Sequence, residues 1–159
     1  MELQSACVRI IEDGRVLCVS RKDGRGWCLP GGKIEQGEVS LAGAQRELLE
    51  ETGILVEARN LRYVCEFSYT GPSGTRLVSL YETHWWLASQ FTLSQSPEGL
   101  EMIWMTWEDL VKVSPFSEFY SRCPPPDPSA CTGCGASDCS RLWPSQQKCC
   151  PDCSHGVGR

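Results

Sequence analysis

The sequence has no surplus of positive charge and no long apolar run. Its 15 lysines and arginines are outnumbered by 20 aspartates and glutamates, which gives a formal net charge of −5. General attraction to nucleic acid is therefore not expected, and DNA is not an expected partner. No stretch approaches the roughly 20 apolar residues of a membrane-spanning helix, so no membrane association is predicted. The N-terminus lacks the apolar core of a signal peptide, which predicts a cytoplasmic protein, with the nucleus as the alternative.

Alternating apolar residues predict a mixed α and β domain. A hairpin is expected from strands at 3–11 and 16–21, joined by a turn at Glu12, Asp13 and Gly14. A short apolar segment then leads into a turn at Pro30, Gly31 and Gly32. Further strands are predicted at 55–69, 76–87 and 102–107, with a turn at 70–75 and a last helix that begins at Thr106 or Trp107.

The stretch between these strands is helical in pattern. Leu41, Ala44 and Leu48 recur at spacings of three and four, which places them on one stripe of a helix. Ser40 is a suitable N-cap residue. Gly53 stands where a helix commonly ends in a left-handed glycine. A helix from 41 to 52 is therefore predicted.

A second face of this helix carries three carboxylates. Glu47, Glu50 and Glu51 are spaced at i, i+3 and i+4, so they share a stripe on which like charges repel one another. Magnesium and similar hard cations bind carboxylate and carbonyl oxygens and would relieve that repulsion. The alternative is a solvated acidic face on which Arg46 partly neutralises Glu50.

The residues around the helix decide between these interpretations. They fill every fixed position of the Nudix box: a glycine, five residues, a glutamate, seven residues, then Arg-Glu-aliphatic-any-Glu-Glu-any-Gly-aliphatic. These positions are Gly32, Glu38, Arg46, Glu47, Leu48, Glu50, Glu51, Gly53 and Ile54. The chain therefore resembles the Nudix hydrolase family, and residues 31–38 resemble the MutT-type version of the box. The flanking strand pattern extends the resemblance over roughly residues 3–120.

The resemblance implies both a fold and a reaction. The fold is of the α/β class, an α/β/α sandwich with a mixed sheet. The reaction is Mg²⁺- or Mn²⁺-dependent hydrolysis of a phosphoanhydride bond in a small nucleotide, that is, a nucleoside diphosphate linked to another moiety. Such substrates include nucleoside triphosphates, dinucleoside polyphosphates, nucleotide sugars and dinucleotides. The alternative is a binding module without turnover, but such modules usually lose box carboxylates and this chain keeps them all.

The resemblance also implies the roles of individual residues. Metal binding is assigned to three carboxylates and one backbone carbonyl, those of Glu47, Glu50, Glu51 and Gly31. Glu47 is in addition a candidate general base, although family members differ in which glutamate serves. Arg46 and Glu38 are expected to orient the carboxylates rather than to react.

Two further groups of charged residues are candidates for the site. In the family a further acidic residue often lies on the loop before the last strand, where Glu98 and Glu101 are the candidates here. Arg9, Arg21 and Lys22 could hold substrate phosphates. Glu98 and Glu101 could equally be loop charges, and for Arg9, Arg21 and Lys22 an ordinary surface charge is the favoured alternative.

The composition changes at Arg122, after which proline, cysteine, serine and glycine dominate. Three consecutive prolines at 124–126 indicate a stiff linker. The remaining apolar residues are too few for this segment to fold on its own. The predicted division is therefore a catalytic domain at 1–121, a linker at 122–130 and a tail at 131–155.

The tail carries a pattern typical of a structural zinc site. Two Cys-x-x-Cys pairs are separated by fifteen residues, and they comprise Cys131, Cys134, Cys150 and Cys153. Cys149 or His155 could replace one of these ligands. Disulfides are the competing interpretation, but zinc is favoured in a chain without a signal peptide. The tail is thus expected to be a zinc ribbon, a possible docking element for a protein partner, or else a disordered extension.

Overall fold

A computed structural model describes residues 3–72, 74–88 and 95–126. Within these ranges seven strands form one sheet and three α-helices pack against it. The predicted zinc ligands, and with them the docking role of the tail, lie outside the described residues. None of the described helices has the length and apolar character needed to cross a lipid bilayer.

The strands and helices follow the order expected from the sequence. The strands are β1 (Leu3–Glu12), β2 (Arg15–Ser20), β3 (Trp27–Cys28), β4 (Gly31–Lys33), β5 (Arg62–Gly71), β6 (Gly74–His84) and β7 (Met102–Thr106). The helices are α1 (Ser40–Thr52), α2 (Trp107–Val113) and α3 (Ser117–Arg122).

The sheet is mixed. Its order is β3-β2-β1-β6-β5, while β4 pairs with β1 and β7 pairs with β2. β1 and β6 run parallel from the pair Leu3↔Arg76 to the pair Ile11↔His84. The other paired strands run antiparallel. β1 is therefore a central strand, and its long apolar run reflects burial on both faces.

One face of the sheet is covered by α1. Ala6, Val8 and Ile10 alternate along β1 and form one cluster with Ala44 and Leu48 of the helix. The helical stripe predicted from the spacing of its apolar residues is therefore the buried stripe. This packing fixes which side of α1 faces the core and leaves the glutamate stripe at the edge of the sheet.

The opposite face is covered by α2 and α3. Cys7 and Ile11 point to this side and cluster with Leu110, Phe119 and Tyr120. Because helices lie on both faces of a mixed sheet, the predicted α/β/α sandwich is confirmed. The free thiol of Cys7 packs here as a small apolar group.

The ends of α1 differ from the prediction at one terminus. Ser40 is the first helical residue rather than the cap; Val39 occupies the cap position and makes no side-chain capping bond. The Ser40 hydroxyl is instead hydrogen-bonded to the hydroxyl of Tyr81 on β6. At the other end Gly53 adopts the expected left-handed conformation, with φ 76°, and donates to the Leu49 carbonyl at 2.8 Å.

The predicted turn at Pro30, Gly31 and Gly32 is wrong. Residues 31–33 form strand β4, which pairs with β1. A Cβ atom at Gly31 would lie 2.7 Å from the Cα atom of Cys7. Glycine is required there because two backbones approach closely, and not because the chain turns.

The two long strands are also shorter than predicted. β5 begins at Arg62, since the segment before it contains a short 3-10 turn at Ala58–Asn60. β6 ends at His84 and is followed by a second such turn at Trp85–Leu87. Val56 and Leu61 are buried in the segment before β5 without belonging to a strand, which alternation alone does not distinguish from strand.

The packed chain continues past residue 121. Cys123 is only 4% exposed, and the guanidinium of Arg122 donates to the Ser68 carbonyl at 3.1 Å. Arg9 donates to the carbonyl of Pro124 at 2.7 Å. The domain boundary at 121 stays a prediction, but the first three residues of the linker contact the core.

Candidate active site

Strand β4 brings its free edge against the glutamate stripe of α1. The Gly31 amide donates to Oε1 of Glu51 at 2.7 Å. The N–H and C=O groups of one strand residue point to the same side, so the Gly31 carbonyl faces the edge where Glu51 lies. The Lys33 carbonyl faces that edge too, and it accepts a bond from Arg46 at 2.9 Å.

The glycine at position 32 allows Glu47 to reach the backbone. A Cβ atom on Gly32 would lie 2.6 Å from both carboxylate oxygens of Glu47. Real Cβ atoms are not found at that distance, so any other residue would displace the carboxylate. Glycine is therefore required at position 32 of the box for steric reasons.

Arg46 organises the acidic side chains around it. Its Nε and Nη2 atoms donate to the two oxygens of Glu38 at 2.8 and 2.9 Å, a paired arrangement that fixes both groups. This contact holds the pKa of Glu38 down to about 2. Arg46 Nη1 also contacts Glu47 at 3.1 Å and Glu50 at 3.2 Å. This geometry is the one that the predicted orienting role requires.

Glu51 lies in a less favourable electrostatic environment. Burial, and to a lesser extent the nearby carboxylates of Glu47 and Glu98, raise its pKa to about 7 against the lowering effect of the Gly31 amide. Burial also raises the pKa of Glu47, which its contact with Arg46 opposes. The ion pairs found among the described residues do not include Glu51.

The donor atoms suit a hard divalent cation. Glu47, Glu51 and the Gly31 carbonyl offer only oxygen, the ligand type that Mg²⁺ and Mn²⁺ prefer. The pKa of Glu51 is raised mainly by burial and also by the neighbouring carboxylates of Glu47 and Glu98, so its charged form is unfavourable and a bound cation would stabilise it. Among the described residues no three acidic, histidine or cysteine side chains are grouped closely enough to hold a metal ion. Arg46 instead provides the positive charge beside Glu47 and Glu50.

The two further acidic candidates, Glu98 and Glu101, differ in their relation to the glutamate stripe of α1. The Glu98 carboxylate acts on the pKa values of both Glu47 and Glu51, and it pairs with Lys22 at 3.3 Å. Glu101 is held through its backbone, since its N–H donates to the Ser20 hydroxyl at 2.9 Å. Glu98 is therefore the candidate that faces the carboxylates.

Arg9 does not lie at this site, which contradicts its predicted role in phosphate binding. Its side chain is 1% exposed, and its guanidinium pairs with the buried carboxylate of Glu82 at 2.7 Å. It also lies over the ring of Trp107 at 4.9 Å. Position 9 points to the face covered by α2, so the charge is enclosed and already paired.

A cavity of about 380 Å³ opens beside Gly31 and Gly32, on the face of the sheet opposite α1. Part of its wall is aromatic, and the ring centroids of Tyr69 and Phe116 lie 5.6 Å apart in an edge-to-face arrangement. The aromatic residues that line it are Tyr69, Phe116, Phe119 and Tyr120. The cavity therefore has an aromatic wall, and its lining also includes the glycines that contact Glu47 and Glu51.

Four basic residues also line the cavity: Arg21, Arg25, Lys33 and Arg76. Arg21 was among the predicted phosphate ligands; it lies over the Phe116 ring at 4.7 Å and pairs with Asp23. The other three were not predicted. Lys33 directly follows the two glycines of the box. Had residues 31–33 been predicted as a strand, alternation would have placed the side chain of Lys33 on the opposite face from position 32, which is the face of the cavity.

Comparison with known proteins assigns the chain to a family. The chain matches the family model described as the NUDIX domain over residues 2–123. It is 48% identical over 56 residues to a MutT-like protein of Streptomyces ambofaciens, a match that covers 35% of this chain and 36% of that protein. It is 30% identical over 117 residues to the oxidized purine nucleoside triphosphate hydrolase of Danio rerio, which covers 72% of this chain and 70% of that protein.

A solved structure has the same fold. The MutT NUDIX hydrolase from Burkholderia pseudomallei superposes with a TM-score of 0.58 at 24% identity, over 68% of this chain and 85% of that one. This likeness supports the arrangement of the sheet and its two helical layers.

Proposed function

Because the chain belongs to the Nudix hydrolase family, we propose that it is a pyrophosphohydrolase dependent on Mg²⁺ or Mn²⁺. It hydrolyses a phosphoanhydride bond in a nucleoside diphosphate linked to another moiety. One observation carries the proposal: the cavity is lined by the same two glycines, Gly31 and Gly32, that contact the carboxylates of Glu51 and Glu47. A nucleoside bound in the cavity would direct its phosphates over Gly31 and Gly32 to those carboxylates.

The metal would be held by oxygen atoms of the Nudix box. The proposed ligands are Glu47, Glu50, Glu51 and the carbonyl of Gly31, with Glu98 as a further acidic candidate. When bound, such an ion neutralises phosphate charge and lowers the pKa of water. Arg46 and Glu38 keep the carboxylates in place, which is the role their paired contact supports.

The chain itself supplies proton acceptance. Without a bound cation, burial raises the pKa values of Glu47 and Glu51, and a cation beside them would lower both again. Glu47 is the candidate named by the family resemblance. It is also the carboxylate that packs on Gly32, one of the residues that line the cavity.

The substrate class proposed is a purine nucleoside triphosphate. The relative in Danio rerio is named as a hydrolase of oxidized purine nucleoside triphosphates. The cavity volume of about 380 Å³ lies within the range of small-ligand sites, about 300–1,000 Å³. Aromatic walls stabilise a stacked base by about 1–3 kcal/mol. The basic residues that line the cavity suit an anionic ligand such as a nucleotide.

A panel of nucleotides tests the proposal. Purified full-length protein with Mg²⁺ is incubated with dGTP, 8-oxo-dGTP, dATP, diadenosine tetraphosphate, ADP-ribose and NADH, and released phosphate and pyrophosphate are measured. Hydrolysis of a triphosphate by the wild type, lost in Glu51→Gln and kept in the control Glu101→Gln, is the expected result. Failure of the wild type to hydrolyse any member would overturn the proposal and favour the binding module.

The tail adds a separate proposal that depends on cysteine spacing alone. One structural zinc ion bound by Cys131, Cys134, Cys150 and Cys153 would give this segment the stabilisation that its few apolar residues do not provide. A zinc ribbon of this kind would offer a docking surface for a protein partner. A cytoplasmic location is likewise proposed from the sequence alone.

A further inference from the structure

The charged side chains that line the cavity all carry positive charge, although the protein as a whole is acidic. Among the described residues, none of those lining the cavity is acidic. Asp23 stands outside the cavity and pairs with Arg21 at 2.6 Å and with Arg25 at 2.9 Å, which offsets part of their charge. The opposite side of the cavity, on the sheet, holds Lys33 and Arg76.

These two cations are brought together by strand register. Lys33 on β4 is directly opposite Ser5 on β1, and Val78 on β6 is the partner of Ser5 on the other side. Arg76 precedes Val78 by two residues, so its side chain lies on the same face of the sheet. The guanidinium of Arg76 donates to the Ser5 hydroxyl at 3.1 Å. Arg76 therefore contacts the buried Ser5 hydroxyl, and the exposed Lys33 is the strand neighbour of Ser5 on the same face of the sheet.

Arg76 and Ser5 are displaced from the carboxylates, whereas Lys33 lies on β4 between them. Glu51 and Arg46 contact the free edge of β4, whereas β1 and β6 lie on its paired side. Arg76 is two strands away from β4, which corresponds to roughly 10 Å across the sheet. An anhydride held at Glu47 and Glu51 would therefore be separated from Arg76 by about that width of the sheet.

We propose that Lys33, Arg76 and the Ser5 hydroxyl bind a phosphate group carried by the nucleoside itself. The preferred substrates would then bear a ribose 2′- or 3′-phosphate in addition to their phosphoanhydride chain. The chemistry suits this ligand: a guanidinium binds two phosphate oxygens at once, an ammonium adds a point charge, and a hydroxyl donates a third bond. The inference rests on the proposed function, in that the cavity is taken as the nucleoside site.

Paired ligands test the subsite without any turnover. Dissociation constants are measured by titration calorimetry with Mg²⁺ for GMP and guanosine 3′,5′-bisphosphate, and for AMP with adenosine 2′,5′- and 3′,5′-bisphosphate. The wild type is expected to bind one bisphosphate of a pair about 10-fold more tightly than the monophosphate, which corresponds to about 1.4 kcal/mol. That ratio should fall below about 2-fold in Arg76→Gln and in Lys33→Gln. The ratio cancels any general loss of binding in a variant.

The matched control is Lys112→Gln, which removes an exposed lysine on α2 that does not line the cavity. It should keep the wild-type ratio. Equal affinity for both members of every pair in the wild type would overturn the subsite, as would a preference that survives in both Arg76→Gln and Lys33→Gln. The comparison of the two adenosine bisphosphates identifies which ribose position is read.

The subsite and the hydrolase proposal fail in different ways. A bisphosphate preference in a protein that hydrolyses no member of the nucleotide panel supports the subsite and overturns only the reaction. Hydrolysis of the panel without a bisphosphate preference supports the reaction and overturns only the subsite.

Discussion

The Gly31 amide and the Glu51 carboxylate are joined by a hydrogen bond of 2.7 Å at the edge of the sheet. This bond ties strand β4 to the last turn of α1. It also holds Glu51 at a position where burial and two neighbouring carboxylates raise its pKa to about 7. The hydrogen bond from the Gly31 amide lowers the pKa of Glu51, but by less than burial and the neighbouring carboxylates raise it. The carboxylate is therefore placed where its charge is unfavourable until a cation binds.

The first prediction concerns stability in the presence of a chelator. The pKa of Glu51 rises from 4.5 to about 7 on folding, so between these values the folded state binds more protons than the unfolded state. Glu51 therefore lowers stability as pH rises from about 4.5 to 7. The Glu51→Gln variant lacks this unfavourable charge. Its Tm should fall less than that of the wild type between pH 4.5 and 7, and at pH 8 it should match or exceed the wild-type Tm.

Glu50→Gln is the matched control for this measurement. Glu50 lies on the same stripe but is half exposed and paired with Arg46. Its removal deletes the ion pair with Arg46, so Glu50→Gln should not raise the Tm above that of the wild type at pH 8. Parallel pH profiles for the wild type and Glu51→Gln would contradict the assignment of an unfavourable charge to Glu51.

The second prediction separates Arg9 from the substrate. Arg9→Ala leaves the carboxylate of Glu82 in the core with only the partly exposed Arg62 as partner. Breaking a buried pair in this way costs about 3–5 kcal/mol. The Tm should fall strongly, while KM measured below the unfolding temperature stays within about 2-fold, because the side chain is enclosed.

Arg21→Ala is the contrasting variant, because Arg21 lines the cavity and is partly exposed. It should raise KM and change the Tm little. A large rise in KM for Arg9→Ala at an unchanged Tm would restore Arg9 as a phosphate ligand and contradict the buried pair.

The misassignment of Arg9 shows what local patterns cannot convey. The alternation in residues 3–11 predicted a strand, but not that both faces of that strand are covered. The partner of Arg9 lies 73 residues away on β6, and only the parallel pairing of β1 with β6 brings the two side chains together. The subsite around Ser5 was missed for the same reason, since Arg76 is 71 residues from Ser5.

The box helix was predicted more completely because its determinants are local. The spacing of Leu41, Ala44 and Leu48 determines the buried stripe, and Gly53 determines the end. The same local reasoning failed at Gly31 and Gly32. At these two positions glycine is needed because other parts of the chain, β1 and Glu47, approach closely. Without knowledge of those contacts, two consecutive glycines indicate a turn.

The third prediction concerns the end of the folded domain. A chain that ends at residue 126 keeps the buried Cys123 and the bond from Arg9 to Pro124, whereas a chain that ends at 121 loses both. The longer form should match the full chain in Tm and in activity. The shorter form should be several degrees less stable, since burial of one apolar side chain contributes about 1.5–3 kcal/mol. Identical Tm values for the two shortened forms would show that the anchoring contacts contribute nothing.

The fourth prediction concerns the paired contact between Arg46 and Glu38. Arg46→Lys keeps the charge but loses the fork that binds both carboxylate oxygens. The apparent Mg²⁺ affinity or kcat/KM should fall about 10- to 100-fold, as for other residues that position metal ligands. Glu38→Gln should have a similar effect. The double variant should be little worse than either single variant, because both disrupt one contact; fully additive losses would mean that the two residues act separately.

The most direct test of the proposed active site is the initial rate of phosphoanhydride hydrolysis as a function of Mg²⁺ concentration, measured on the best substrate of the nucleotide panel. Wild type and Glu101→Gln should give the same saturating curve, because Glu101 does not face the carboxylates. Glu51→Gln should remain folded and show a rate lower by at least about 100-fold at every Mg²⁺ concentration. A wild-type rate in Glu51→Gln at saturating Mg²⁺ would contradict the assignment of Glu51 to the metal and to the reaction.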